Sequence, residues 1–384
     1  MKITRLETLI ANAGLRNYLF IRLTTDVGLT GVGEASLEWQ EKAVETFVNE
    51  WVKSRILGRD PFEVEAIAAS MIRDQFQGGV TAMTAIGGVE MALWDIIGKS
   101  CGQPVYRLLG GRCHERIPAY ASGWDGGAIE PHEFAQMARE AVERGYRALE
   151  FDPFGASVED PSRNESEAAI ANVAAVREAV GPAIELMIEF HGNLSTASAR
   201  ETILALEPLA PAWCEPPAVA EKLDLLAQLK RSVNAPIAAG KRFHTHVEFQ
   251  RLTALAAADF VQINLPHCGG LLASKKLAAL VAEQGLRVAV PCSVGPVALA
   301  ACLHFNMCTP NFQIQEALAE FDVPWRNDLV RGCPPIQNGE FVLSEEPGLG
   351  LTLDDRAIAQ HPYVANAVPT MLDREWLDQF NQDR

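Results

Sequence analysis

The chain has 384 residues, 48% apolar and 21% charged, enough for a large core and about two to three domains of an ordinary globular protein. Its formal charge of −16 argues against nucleic-acid and anionic-membrane partners, which attract basic surfaces. No stretch of about 18 uninterrupted apolar residues occurs; the richest, Val288 to Leu303, is cut by Pro291, Gly295 and Pro296, so no membrane span is expected.

The opening MKITRLETLI lacks the basic-then-apolar plan of a signal peptide. Strand-like segments follow, MKITRLETLIA and then YLFIRLTTDVGLTGVGEASL, with a hairpin turn expected at Asp26 to Gly31 in which Gly28 and Gly31 can take positive φ. An Ala-rich helix is predicted from Ala82 to Lys99. Residues 1–125 therefore read as an α+β capping domain, completed by a tail of about 341–384.

From residue 117 one pattern recurs. A short apolar run is followed by a turn and an amphipathic stretch. The runs are IPAYAS, ALEFDP, ELMIEF, PAWCEPP, PIAAG, FVQINL, RVAVPC and FQIQEA, beginning at Ile117, Ala148, Glu185, Pro211, Pro236, Phe260, Arg287 and Phe312. Strands that are apolar without alternation are expected where helices cover the outer face of a parallel sheet. In the stretch after ALEFDP, Ile170, Val173 and Val176 share one helical face. The fold class is α/β: a (β/α)8 barrel over 126–340, its first strand near 117–122, behind the N-terminal α+β capping domain. Eight cysteines are scattered without a C-x-x-C pair, which fits thiols in a reducing, cytoplasmic setting better than a zinc or disulfide framework.

Barrel enzymes work at the C-terminal ends of their strands. Those positions carry Glu150 and Asp152, then Glu189 and His191, Glu215, Lys241, Asn264 with His267, and Glu316. One acidic strand end is ordinary. Five carboxylates converging on one mouth require a cation or protons. His191, among them, is suited to carry a proton. His267 precedes Gly269-Gly270 and suits a tight turn, and Trp325 either lines the mouth or fills a gap, which the sequence does not decide.

Several segments resemble the enolase superfamily, in its mandelate racemase/muconate lactonizing enzyme-like branch and above all the acid-sugar dehydratases of the mandelate racemase subgroup. They are GLTGVGEASLEW at 28–39, similar to a substrate-capping loop, ALWDIIGKSCGQPVYRLLGG at 92–111, and PGLGLTLD at 347–354. In the barrel, ALEFDPFG, EFHGN, CEPP, AAGKRF, QINLPHCGG and VGPVALAACL follow in family order. The resemblance implies a small carboxylate substrate, a symmetric homo-oligomer (dimer to octamer), Mg²⁺ held by three carboxylates, and no organic cofactor. It implies removal of an α-proton, with the metal stabilising the enediolate.

Residue by residue the match is partial. Glu189 and Glu215 match the first and second metal ligands, but Lys241 replaces the third. His191 matches the general acid of the dehydratases, Asp152 matches the second member of a Lys-x-Asp pair, and Glu316 matches a carboxylate near the substrate. Glu150 replaces the lysine of that pair. The family's His–Asp dyad is lost, with Asn264 and Pro291 in its places. Together these give His191, Asp152, Lys241 and Glu316 as candidate catalytic residues, Glu150, Asn264, His267 and Trp325 as candidate substrate contacts, and Glu189 and Glu215 as candidate metal ligands. Two of the changes compensate: a glutamate stands for a lysine at Glu150 and a lysine for a glutamate at Lys241. The formal charge of the set is conserved, and an ion pair across the mouth is expected. The readings left open are an enzyme with a relocated metal, one in which Lys241 replaces the metal, and a silent member that binds a ligand or an active relative.

Overall fold

The computed structural model describes residues 1–365, apart from 77, 156, 218–221 and 319. Strands β1 (Ile3–Ala13), β2 (Arg16–Thr25) and β3 (Thr30–Glu34) form an antiparallel sheet in sequential order. Gly28 adopts φ 82° in the β2–β3 turn. Gly31 does not take positive φ, contrary to the expectation. It is required for another reason: a Cβ there would collide with the carbonyl of Ala92, on the helix Gly79–Cys101 that packs against the sheet. Gly33 faces the carbonyl of Gly88 in the same way. The hairpin therefore lies flush on this helix because two consecutive inward positions lack side chains. The helix is long and apolar enough in composition to cross a membrane, and 83% of that stretch is buried inside the fold.

The barrel strands are β4 (Ile117–Ala121), β5 (Ala148–Phe151), β6 (Glu185–Glu189), β7 (Trp213–Glu215), β8 (Ala238–Ala239), β9 (Phe260–Gln262), β10 (Arg287–Val290) and β11 (Phe312–Ala317). Each falls within the run that predicted it. Their order is β7-β6-β5-β4-β11-β10-β9-β8. A parallel bridge between Cys214 and Ile237 brings the two ends together, with the Cys214 N–H donating to Pro236 O at 2.9 Å. Helices follow each of the first seven strands, from Pro131–Glu143 to Pro296–Met307. Ser162 and Glu165 form a reciprocal capping box at the start of Arg163–Val180, which satisfies two backbone donors at once. After β11 the chain leaves the barrel and returns to the capping sheet. Arg22 pairs with Asp355, and His361 O accepts from the Asn12 N–H at 2.8 Å. Residues 366–384 of the expected closing tail lie outside the described residues.

Side chains alternate across each strand, so the barrel interior is layered. Tyr120, Ala148, Met187, Trp213, Ala238, Ala289 and Ile314 form one apolar layer. Two residues further along four of these strands stand Glu150, Glu189, Glu215 and Glu316, all buried. The apolar layer is a floor, and the carboxylates stand on it.

Buried carboxylates of the capping domain join it to this mouth. Glu34 accepts from the N–H groups of Gly295 (2.6 Å), Val297 (3.1 Å) and Ala298 (2.9 Å), at the start of Pro296–Met307. Glu90 accepts from Leu271 (2.8 Å) and Leu272 (2.9 Å), at the start of Leu271–Ala282. The first N–H groups of a helix have no partner within it, and its dipole favours a negative charge there. Burial raises the pKa of Glu34 against these donors and pushes that of Glu90 up to about 7. Glu34→Ala leaves three amides without their acceptor. It is expected to lower unfolding stability by about 3 kcal/mol in urea titration; a loss below about 1 kcal/mol would show that the cap carries little of the joint.

Candidate active site

Lys241 follows Gly240, whose φ of 119° and close approach to Gln262 O, 2.6 Å from where a Cβ would stand, admit only glycine. This turn at the end of β8 brings the lysine into the mouth. Its Nζ hydrogen-bonds Glu189 Oε2 and lies 3.3 Å from Glu215 Oε1 and 3.8 Å from Glu150 Oε1. The expected pair with Glu150 is therefore the longest of three contacts. The ammonium stands among all three carboxylates, with its side chain 24% exposed.

His191 adopts φ 51° just beyond β6, a left-handed conformation unusual for a residue with a side chain. Its N–H donates to Glu189 Oε1 at 2.6 Å, which offsets the strain locally. The turn folds the ring back over the cluster, with Nε2 3.3 Å from Asp152 Oδ2 and Nδ1 3.5 Å from Glu189 Oε1. Asp152 also accepts from the Phe154 N–H at 2.7 Å. Burial raises the Asp152 pKa, and the His191 charge opposes the rise.

Glu215 and Glu316 hold protons more tightly than usual. Burial, then the charge of Glu150, pushes Glu215 well up. The same causes, in the same order, push Glu316 up to about 7, although its Oε2 accepts from the Cys292 N–H at 2.6 Å. Glu150 Oε2, Glu215 Oε2, both polar atoms of Gln262, and Asn264 Oδ1 are buried without a partner in hydrogen-bonding geometry. Such atoms are costly to bury unpaired, and together they make the mouth polar.

The other expected contacts sit at the joint with the capping domain. His267 Nδ1 meets Thr84 Oγ1 at 2.9 Å, and burial lowers its pKa to about 4, so it is neutral. Trp325 does not line the mouth through its observed contacts. Its indole N–H donates to Asn12 O at 2.9 Å, and its ring stacks on His361 with centroids 4.6 Å apart. A buried indole needs an acceptor, and this one finds it in the capping sheet. Sequence reading did not single out Tyr120, Gln262 or Arg16. Tyr120 is buried in the layer below the carboxylates, and Gln262 stands beside Glu215. Both occupy inward positions of their runs, so strict alternation would have found them. Arg16, which joins Glu38 of the capping loop at 2.8 Å to the carbonyl of Ser293 beyond β10, left no local signal.

Oxygens of Glu150, Glu189 and Glu215 lie within 4.8 Å of one another. As hard oxygen donors they suit Mg²⁺. The position of Lys241 Nζ does not, because it stands in the space the three oxygens enclose and carries the charge they would neutralise.

A parallel barrel with a capping domain across its C-terminal mouth, and buried carboxylates with a lysine and a histidine within it, defines a class of barrel proteins built for chemistry on small polar ligands. Residues 133–357 match the model of the enolase C-terminal domain-like family, and residues 5–110 match that of the mandelate racemase/muconate lactonizing enzyme N-terminal domain. The chain belongs to the mandelate racemase/muconate lactonizing enzyme family of the enolase superfamily. It is 35% identical over 364 residues to a D-galactonate dehydratase of Variovorax paradoxus, covering 93% of this chain and 94% of that one. It is 34% identical over 347 residues to a D-gluconate/D-galactonate dehydratase of Picrophilus torridus, covering 90% and 88%. Among solved structures, a mandelate racemase/muconate lactonizing enzyme from Jannaschia sp. superposes with a TM-score of 0.88 at 31% identity, over 96% of this chain and 99% of that one. An enolase-superfamily member from Salmonella Typhimurium gives 0.89 at 27%, over 94% and 98%.

The raised carboxylates fix the sign of a pH effect. With Glu316 at about 7 when folded and near 4.5 when unfolded, the folded state binds more protons between those values. Its contribution to stability is present below the lower value and is lost as pH rises through the upper one. The urea midpoint is expected to fall between pH 5 and pH 8, and Glu316→Gln is expected to flatten that fall; an unchanged slope in the variant would show that Glu316 ionises normally.

Proposed function

We propose that this protein is an acid-sugar or hydroxy-acid enzyme of the dehydratase type, with racemase or isomerase chemistry as the nearest variant of the same proton transfer. The carrying observation is the His191–Asp152 contact beside Lys241, inside a ring of buried carboxylates. The dehydratase names of the relatives support the substrate class.

In this reading the substrate enters from the capping side with its carboxylate toward the Lys241 ammonium. Removing an α-proton converts that carboxylate into an enediolate, and a fixed positive charge in a water-poor mouth stabilises the charge that develops. Glu316 and Asp152 have the raised affinity for protons that a base needs at neutral pH. His191, when protonated, donates toward Asp152 and Glu189, and on the same face it can pass its proton to a departing β-hydroxyl. The C–O bond breaks with its electron pair on the oxygen, the hydroxyl leaves as water carrying that proton, the enediolate electrons form the C=C bond, and the enol so formed relaxes to a keto acid. In family members Mg²⁺ supplies Lewis-acid stabilisation of the enediolate; the proton transfers and the charge pairing of this mouth belong to Lys241, His191 and the carboxylates.

Asn264 and Pro291 support a second reading. They offer no proton carrier on the side of the barrel served by β9 and β10, so a ligand bound without turnover is the alternative. Homo-oligomeric assembly and a cytoplasmic location belong to the proposal as well; all eight cysteines are unpaired. A screen of six-carbon and shorter aldonic and 2-hydroxy acids, read by keto-acid formation or by exchange of the α-proton with solvent deuterium, tests the reading. Turnover is expected for at least one acid, with His191→Asn lowering kcat about 100- to 10,000-fold while ligand binding persists. Binding without product or exchange from any acid would favour the silent alternative.

A further inference from the structure

We propose that Lys241 is the resident cation of this site: a tethered ammonium held by Glu150, Glu189 and Glu215 that excludes a divalent metal from the position those carboxylates define.

Four observations converge. First, Nζ is within ion-pair distance of all three carboxylates, at 3.3 Å from Glu215 and 3.8 Å from Glu150, with Glu189 in direct hydrogen bond. A lysine that merely approached an acidic rim would meet one partner and extend into water. Second, the carboxylates come from three adjacent strands, β5, β6 and β7, and the ammonium closes the ring from β8 through a turn that only Gly240 permits. The backbone is shaped to deliver it. Third, Glu215 and Glu150 are 0% and 5% exposed. Without a cation in contact, this many buried carboxylates could not ionise together and would have to hold protons. Fourth, Gln262 on β9 is fully buried against Glu215, so the ring is backed by a polar side chain and has no water-filled space behind Glu215 to hold its charge.

The chemical consequence is specific. A monocation replaces a dication at the point where enediolate charge develops, so the substrate carboxylate is recognised by hydrogen bonds from an ammonium. Two inner-sphere metal bonds are not available to it. A charge smaller by half stabilises less at equal distance, which favours substrates whose α-proton is more acidic than that of a simple aldonate, such as those with a second electron-withdrawing group. This consequence rests on the proposed enzyme reading; the cation assignment does not.

Mn²⁺ binding, read by electron paramagnetic resonance and by calorimetry on chelator-treated full-length protein, tests the assignment without any substrate. Three proteins are compared: wild type, Lys241→Met, and the exchange variant Glu150→Lys/Lys241→Glu. Wild type is expected to show no stoichiometric site. Lys241→Met, with a cation removed from among three carboxylates, is expected to bind one Mn²⁺ at least about 100-fold more tightly. Its melting temperature should fall in chelator and recover with Mn²⁺, while that of wild type does not move. If Lys241→Met fails to fold, the exchange variant carries the comparison, because it conserves charge and moves the ammonium to β5; it is expected to bind Mn²⁺ through β6, β7 and β8. One Mn²⁺ bound by wild type as tightly as by either variant overturns the proposal. So does a lack of binding by all three, which would show that the ring is not a cation site. A failure of the acid screen leaves this result untouched, and the reverse also holds.

Discussion

A carboxylate can be buried only if something replaces its water, and this fold buries carboxylates wherever its parts must meet. In the barrel mouth the replacement is the ammonium of Lys241, and burial raises the proton affinity of Glu215 and Glu316. At the joint between domains it is the exposed N–H groups of two barrel helices, which Glu34 and Glu90 cap from the opposite domain. Both solutions follow one rule: desolvated charge is tolerated when donors converge on it, and costs several kcal/mol when they do not. The capping domain is therefore more than a cover. Its acids complete helices that begin just beyond the strand ends bearing the site.

That joint bears on the geometry of the mouth. Glu34 holds the amides that follow Cys292, and the Cys292 N–H itself holds Glu316. Arg16 links Glu38 of the capping loop to Ser293 O in the same short segment, and Arg326 fastens it again at Val294 O, 2.9 Å away. A stretch of four residues beyond β10 is thus gripped from the capping sheet, the capping loop and the C-terminal segment, while its own backbone positions a site carboxylate.

The site also shows how a lysine can be accommodated among buried carboxylates. A glutamate on β5 and a lysine after β8 maintain the formal charge of the set, so the barrel tolerates the pair. The ammonium, however, now stands inside the carboxylate ring. His191 with Asp152 stands beyond β6 and β5, Asn264 and Pro291 follow β9 and β10, and Glu316 stands on β11, so groups able to carry a proton lie on more than one side of the mouth.

The linear sequence determined the barrel, because strands buried on both faces must be apolar without alternation, and all eight runs stand out against amphipathic helices. It also determined which residues reach the mouth, since a strand end followed by a turn is a local property: Glu150, Asp152, Glu189, His191, Glu215, Lys241 and Glu316 were all legible at this level. The Gly31 reading failed because a glycine needed for close packing on a distant helix looks, in sequence, like a glycine needed for a turn. Trp325 could not be placed because only the folded chain brings Asn12 and His361 to its ring. The tertiary structure alone decided that Lys241 meets three carboxylates at once, that Glu34 and Glu90 are caps of helices in another domain, and that Glu316 titrates near neutrality. Each depends on distances between residues far apart in the chain and on the water excluded between them, and neither quantity is written in local sequence.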